Sequence, residues 1–249
     1  MHPVLDDPFY PVPAPVKECD AELCKNVMNV FKTIAIEESD IERLRQVFAH
    51  MREFTSNQKA LFDVFDSDKD GEVEAQELLK FLTDNLVKDA NLAQCKQIIT
   101  EFDSNSDGKL NFDEFLNIFL PASDYNLRNL EFYPDPRGFT NPDGSLPSSV
   151  PSMAARILER ESAFHNRRAE AFNALAAETE ENISAVFNQI SAGRPEITMT
   201  DLIWFCERYG FMPNTEDLEA ILRRCDHDAD RCLNFEEFVE LIGHDLKKV

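Results

Sequence analysis

Three aspartates stand at alternate positions in the stretch DSDKDGEVEAQE, Asp66 to Glu77, with a glycine directly after them and a glutamate at the end. Like charges packed so closely repel one another and oppose folding unless a cation neutralises them. A hard divalent cation of calcium's size takes six to eight oxygens at roughly 2.3–2.6 Å, and a loop of about twelve residues can wrap it. The ligands then come from loop positions one, three, five and nine, from the backbone carbonyl at seven, and from both oxygens of a glutamate at twelve. In this stretch those are Asp66, Asp68, Asp70, Glu74 (directly or through water), the carbonyl of Glu72, and Glu77. Gly71 falls at position six, where the chain turns sharply and φ is positive. Val73 is the lone apolar residue, placed to pair in a short strand. A solvated acidic turn is the bland alternative, but it does not account for apolar helical patterns on both sides.

The arrangement repeats. DSNSDGKLNFDE, Asp103 to Glu114, offers Asp103, Asn105, Asp107, the carbonyl of Lys109, Asn111 and Glu114, with Gly108 at the turn and Leu110 at the strand position. The two loops start 37 residues apart, room for two helices and a link. Leu61, Phe62 and Phe65 precede the first loop at helical spacing, and Ile98, Ile99 and Phe102 precede the second. Leu78, Phe81 and Leu82, then Phe115, Ile118 and Phe119, follow them. Pairing of Val73 with Leu110 would close one four-helix core. These loops carry every position of the D-x-[DN]-x-[DN]-G-x5-E pattern and resemble the EF-hand family, which implies Ca2+ as cofactor and a lobe over residues 55–120.

A second pair stands in worn form over residues 180–246. DHDADRCLNFEE, Asp226 to Glu237, keeps Asp226, Asp228, Asp230, the Cys232 carbonyl, Asn234 and Glu237 as weaker metal candidates. Arg231 replaces the glycine, and a bulky residue at positive φ predicts weak or absent binding. Upstream, Ile183, Val186, Phe187 and Ile190 form an entering face, and Leu202, Phe205 and Cys206 an exiting one. Between them Ser191–Asp201 is one residue short, lacks oxygen side chains at positions three and five, and carries Pro195, so it predicts no metal. Ile197 can still pair with Leu233.

The fold class is therefore all-α: two lobes of paired helix–loop–helix units with short two-stranded β pairing, joined by a Pro-rich linker and a long helix. Residues 1–18 read as a Pro-rich arm. Residues 19–54 read as a helical hairpin, its second helix opened by a capping box of Ser39 and Glu42. Residues 121–152 hold six prolines and two glycines, which exclude regular structure through most of the segment. Tyr125, Phe132, Tyr133 and Phe139 predict that it lies along a surface. Residues 153–179 read as a linker helix whose Arg156, Arg160, Arg167 and Arg168 form a docking strip or pair with the acidic lobes.

Lys and Arg number 25 against 47 Asp and Glu, a net charge of −22, which disfavours nucleic acid and anionic membrane as partners. No apolar run approaches membrane-spanning length, and no leader or myristoylation signal is visible, so a reducing cytoplasmic setting is expected. The six cysteines form no CxxC pair, and Cys95, Cys206 and Cys225 occupy apolar helix positions. No nucleophile–base pair, phosphate loop or catalytic metal spacing is present, so the expectation is no enzyme.

The order of an intact pair, a Pro-rich connector, the helix ARILERESAFHNRRAEAF and a degraded pair resembles EF-hand proteins of cilia and flagella, some of which line axonemal doublet microtubules. The resemblance implies a structural or calcium-modulated subunit of the axoneme cytoskeleton, held on tubulin or microtubule-bound proteins. The rival is a soluble cytosolic calcium sensor or buffer. No Met lies between Met51 and Met153, whereas promiscuous sensors line their groove with Met.

Overall fold

The computed structural model describes residues 20–122, 141, 145–226, 228 and 230–242. The arm at 1–18 and most of the linker at 121–152 lie outside the described residues. Eleven helices and one two-stranded sheet are present among the described residues, and the all-α expectation holds. The chain divides into two compact units, Ile36–Arg168 and the residues before and after it.

In the unit Ile36–Arg168, α3 (Gln58–Phe65) and α4 (Ala75–Asp84) flank the first loop, and α5 (Leu92–Phe102) and α6 (Phe112–Phe119) flank the second. Asn91 starts α5 as an N-cap, accepting from the Gln94 amide at 3.1 Å while the Gln94 side chain returns to the Asn91 amide. The two loops join at an antiparallel bridge, with Val73 N–H on the Leu110 carbonyl at 2.8 Å and the reciprocal bond at 3.0 Å. The apolar faces then meet in an aromatic core. Phe65 stacks on Phe81 at 3.7 Å, and Phe115 meets Phe62, Phe65 and Phe119 edge-on at 4.9–5.2 Å.

Two more long helices, and a short one between them in sequence, enter that core. The first is α1 (Ala21–Ala49), a single helix where the sequence predicted a hairpin over 19–54. No Pro or Gly occurs between Ala21 and Ala49, so nothing interrupts the backbone ladder. Ser39 and Glu42 sit inside the helix and cap nothing. The chain then makes a short turn of helix, α2 (Arg52–Thr55), whose Phe54 stacks on Phe48 of α1 at 4.0 Å. The second is α7 (Ser149–Asn173), which starts before and ends before the predicted 153–179. Pro151 lies in its first turn, where a missing N–H costs nothing. Val150, Ala154, Ala155, Ile157 and Leu158 of α7 belong to the same buried cluster as Phe62, Phe65 and Phe115.

Polar chemistry fixes these added helices in place. The Arg45 side chain of α1 donates through Nε to the Ile118 carbonyl at 2.9 Å, through Nη1 to Glu38 at 3.2 Å, and through Nη2 to Glu161 of α7. Glu42 stands 3.7 Å from the same guanidinium and accepts from the Ala122 amide at 3.1 Å. All four side chains are at most 5% exposed. Ion pairs also join Arg167 to Glu37 and Arg168 to Glu101.

The other unit takes the described residues through Ala35 and from Ala169 onward. Here α8 (Glu180–Ile190), α9 (Met199–Arg208), α10 (Thr215–Cys225) and α11 (Phe235–Leu241) surround a sheet of β1 (Glu196–Thr198) and β2 (Cys232–Asn234). Ile197 pairs with Leu233 in antiparallel register, both fully buried. The first half of α1 completes this core. Leu23, Val27, Phe31 and Ile34 are buried, and the Phe31 ring meets Phe205 at 5.9 Å and Phe238 at 6.3 Å, both edge-on.

Removing Arg45 would take a shared cation from three buried glutamates, a change that costs about 3–5 kcal/mol. Arg45→Met should therefore lower the stability of the full chain by that amount in urea unfolding. Arg43→Met, which removes an exposed pair with Asp40, should change it by less than about 1 kcal/mol. Equal effects from the two variants would contradict this role for Arg45.

Candidate metal centre

The 66–77 loop begins as α3 ends. Asp66 is buried, and its two carboxylate oxygens accept the Asp70 and Gly71 amides, each at 3.1 Å. Asp68 accepts the Asp70 amide at 3.1 Å, and Asp70 accepts the Glu72 amide at 2.9 Å. These bonds curl the loop inward, so that one oxygen from each of Asp66, Asp68 and Asp70 lies within 4.8 Å of the others. Two oxygens on one calcium ion stand at most about 5.2 Å apart, so the three fit a shared ion. Gly71 makes the turn at φ 91°, with no Cβ to strain. The closing Glu77 is held at the rim: Oε1 accepts from the Ser67 amide and hydroxyl at 2.8 and 3.0 Å, and Oε2 from the Glu74 amide at 3.0 Å.

The 103–114 loop repeats this arrangement bond for bond. Asp103 accepts the Asp107 and Gly108 amides, Asn105 accepts the Asp107 amide, and Asp107 accepts the Lys109 amide at 2.9 Å. Asn111 caps α6, and Glu114 joins Ser104 and the Asn111 amide as Glu77 joins Ser67 and Glu74. Both loops present hard oxygen donors alone, which suits calcium over softer metals. Glu72 and Lys109, the position-seven residues, immediately precede the bridged Val73 and Leu110.

In the second unit the 226–237 loop also folds. Arg231 takes the turn at φ 68°, and its amide donates to Asp226 at 2.9 Å, the bond that Gly71 and Gly108 make in their loops. That left-handed backbone costs a non-glycine residue about 1–2 kcal/mol. Oxygens of Asp226, Asp228 and Glu237 lie within 4.8 Å of one another, and Asn234 caps α11. Asp230 accepts the Cys232 amide at 2.7 Å and also lies in a group with Glu196 and the Cys232 thiol. Burial first, then the charges of Asp230 and Glu196, pushes that thiol's pKa up and keeps it neutral.

The 191–201 loop closes on an internal cation instead. The Arg194 guanidinium pairs with Asp201, the residue in the place of the closing glutamate, and its Nε donates to the Ser191 carbonyl at 2.8 Å. The other Asp201 oxygen accepts from the Thr198 amide at 2.8 Å. The sequence had shown which oxygens were lost here, but not that an arginine three residues into the loop takes the cation's place.

Calorimetric titration of the full chain should show two calcium sites in the range of about 10⁻⁷–10⁻⁵ M. Glu77→Gln and Glu114→Gln should each remove one of them, since each deletes a charged bidentate ligand. Unchanged stoichiometry in either variant would contradict the assignment of that loop.

Residues 54–120 match the EF-hand domain pair family. The chain is 38% identical over 80 residues to the EF-hand domain-containing protein D2 homolog of Drosophila melanogaster, covering 30% of this chain and 36% of that protein. It is 43% identical over 68 residues to the probable calcium-binding protein CML45 of Arabidopsis thaliana, covering 27% and 34%. It is 31% identical over 71 residues to sorcin of Schistosoma japonicum, covering 28% and 42%. The match thus spans less than half the length of each of these relatives. Residues 54–120 are an EF-hand pair, and calcium is the ion its loops bind.

Proposed function

We propose that this protein is a calcium-binding, non-catalytic subunit held in a larger assembly, in which calcium stabilises or modulates a fixed structure. The observation that carries this reading is the filling of the lobe interiors. Leu158 and Ile157 of α7 are buried with the helices of the 54–120 pair, and Phe31 of α1 is buried against Phe205 and Phe238. A sensor that captures target helices needs an apolar groove that opens to them. Here the chain's own helices take up that surface, and the Arg45 cluster fastens one of them.

The finer assignment is to the ciliary or flagellar axoneme, with tubulin or microtubule-bound proteins as partners. It rests on the resemblance carried by the connector and the α7 segment. Arg167 and Arg168 are paired with Glu37 and Glu101. Arg156 is exposed, and Arg156 and Arg160 have no ion pair among the described residues, so these two are the cations offered to an acidic partner. No described helix is long and apolar enough to cross a membrane.

The rival reading, a cytosolic sensor or buffer, is favoured by two complete ligand sets and by a relative named only as a probable calcium-binding protein. Extraction separates the two. An axonemal subunit should stay with detergent-washed microtubules in calcium chelator and leave only in high salt or chaotrope. Complete recovery in the detergent supernatant at low calcium would overturn the axonemal reading in favour of the sensor.

A further inference from the structure

Lys109 belongs to the second loop of the EF-hand pair, but its side chain belongs to the first. The Val73–Leu110 bridge brings the two position-seven residues side by side. From there the Lys109 ammonium reaches Glu72 at 3.0 Å, Glu74 at 3.1 Å and Asp70 at 3.2 Å. Asp70 and Glu74 are the position-five and position-nine donors of the 66–77 loop. The other Asp70 oxygen already accepts the Glu72 amide at 2.9 Å. Both Asp70 oxygens are therefore engaged, one of them by a positive charge that a calcium ion would have to displace or share. The relation is one-sided. Glu74 faces Lys109 across the bridge and Glu72 lies diagonal to it; both are acids, so this contact brings no cation to the 103–114 donors.

We propose that Lys109 is a built-in competitor for calcium, which weakens the 66–77 loop relative to the 103–114 loop and so sets the order in which the two fill. The three carboxylates around the ammonium, Glu72 first, raise its pKa and keep it charged across the physiological range. Competition follows from simple exchange. The same carboxylate oxygen cannot give its full charge to an ammonium and to a divalent ion, and each such part-exposed contact carries a modest affinity cost. The position-seven carbonyl of Lys109 is itself a ligand of the 103–114 loop. An ion bound there fixes the backbone from which the competing side chain extends, so the device also couples the two sites.

The proposal rests on calcium binding by both loops, and the experiment reads each loop separately. In the full chain, nitrogen–proton NMR follows the Gly71 and Gly108 amides through a calcium titration. The wild type should show the Gly108 amide responding at lower calcium than Gly71. Lys109→Met should tighten the midpoint read at Gly71 by about fivefold, and Lys109→Arg, which keeps the charge, should not. Lys69→Met removes a lysine of the 66–77 loop itself that makes no ion pair among the described residues, and should shift the Gly71 midpoint by less. A Gly71 midpoint that is unchanged or weakened in Lys109→Met overturns the proposal, as does an equal effect from Lys69→Met. A wild-type chain whose two glycine amides ignore calcium overturns the calcium assignment as well.

Discussion

Arg45 is a single guanidinium facing three buried glutamates, and the arrangement of the Ile36–Arg168 unit depends on it. Apolar packing alone tells α1 and α7 which face to bury, but it is tolerant of sliding along a helix axis. A fork of donors aimed at Glu38, Glu161 and the Ile118 carbonyl is not tolerant. It ties the α6 terminus to α1 and α7 at one register, and the Ala122 amide joins through Glu42. Buried ionic groups add little net stability against apolar replacements, but they penalise every arrangement that leaves a charge alone. In this chain that penalty holds α7 in the interior of the EF-hand pair.

The same theme runs through the loops at lower stakes. The chain carries a net charge of −22, and each loop must find cations for its carboxylates. Arg194 serves Asp201 where the oxygen set has been lost, and Lys109 leans on Asp70 and Glu74 where it has been kept. The loops therefore form a series from pure metal chemistry to pure internal pairing. The helices around them change far less, because their apolar faces answer to the core. Ile197 and Leu233 stay in register although one of their two loops has lost its metal donors.

Local patterns were the legible part. Loop positions, turn glycines, the apolar faces and the two cross-loop pairings are all set by spacing within about a dozen residues, and each stands where the sequence placed it. The failures were long-range. Ser39 and Glu42 have the spacing of a helix start, and only the distant Glu161 and Ile118 reveal that Glu42 belongs to a buried cluster within a continuous helix. The two apolar stretches of α1 read as two helices because they serve two different cores. Lys109 was legible only as a backbone carbonyl, since the reach of its side chain depends on how the loops pair. Arg167 and Arg168 read equally as part of a docking strip or as partners of the chain's own acids, and only the contacts with Glu37 and Glu101 decide for pairing.

The central claim is that the lobes are already filled by the chain's own helices and stay filled when calcium binds. Amide hydrogen exchange across residues 149–164 of α7 and 21–35 of α1, with and without saturating calcium, reads this directly. If the account is right, both segments remain protected in both states, and calcium slows exchange mainly in the 66–77 and 103–114 loops. Loss of protection in either helix on adding calcium would mean that the groove opens and releases its occupant, and the protein would then be a sensor.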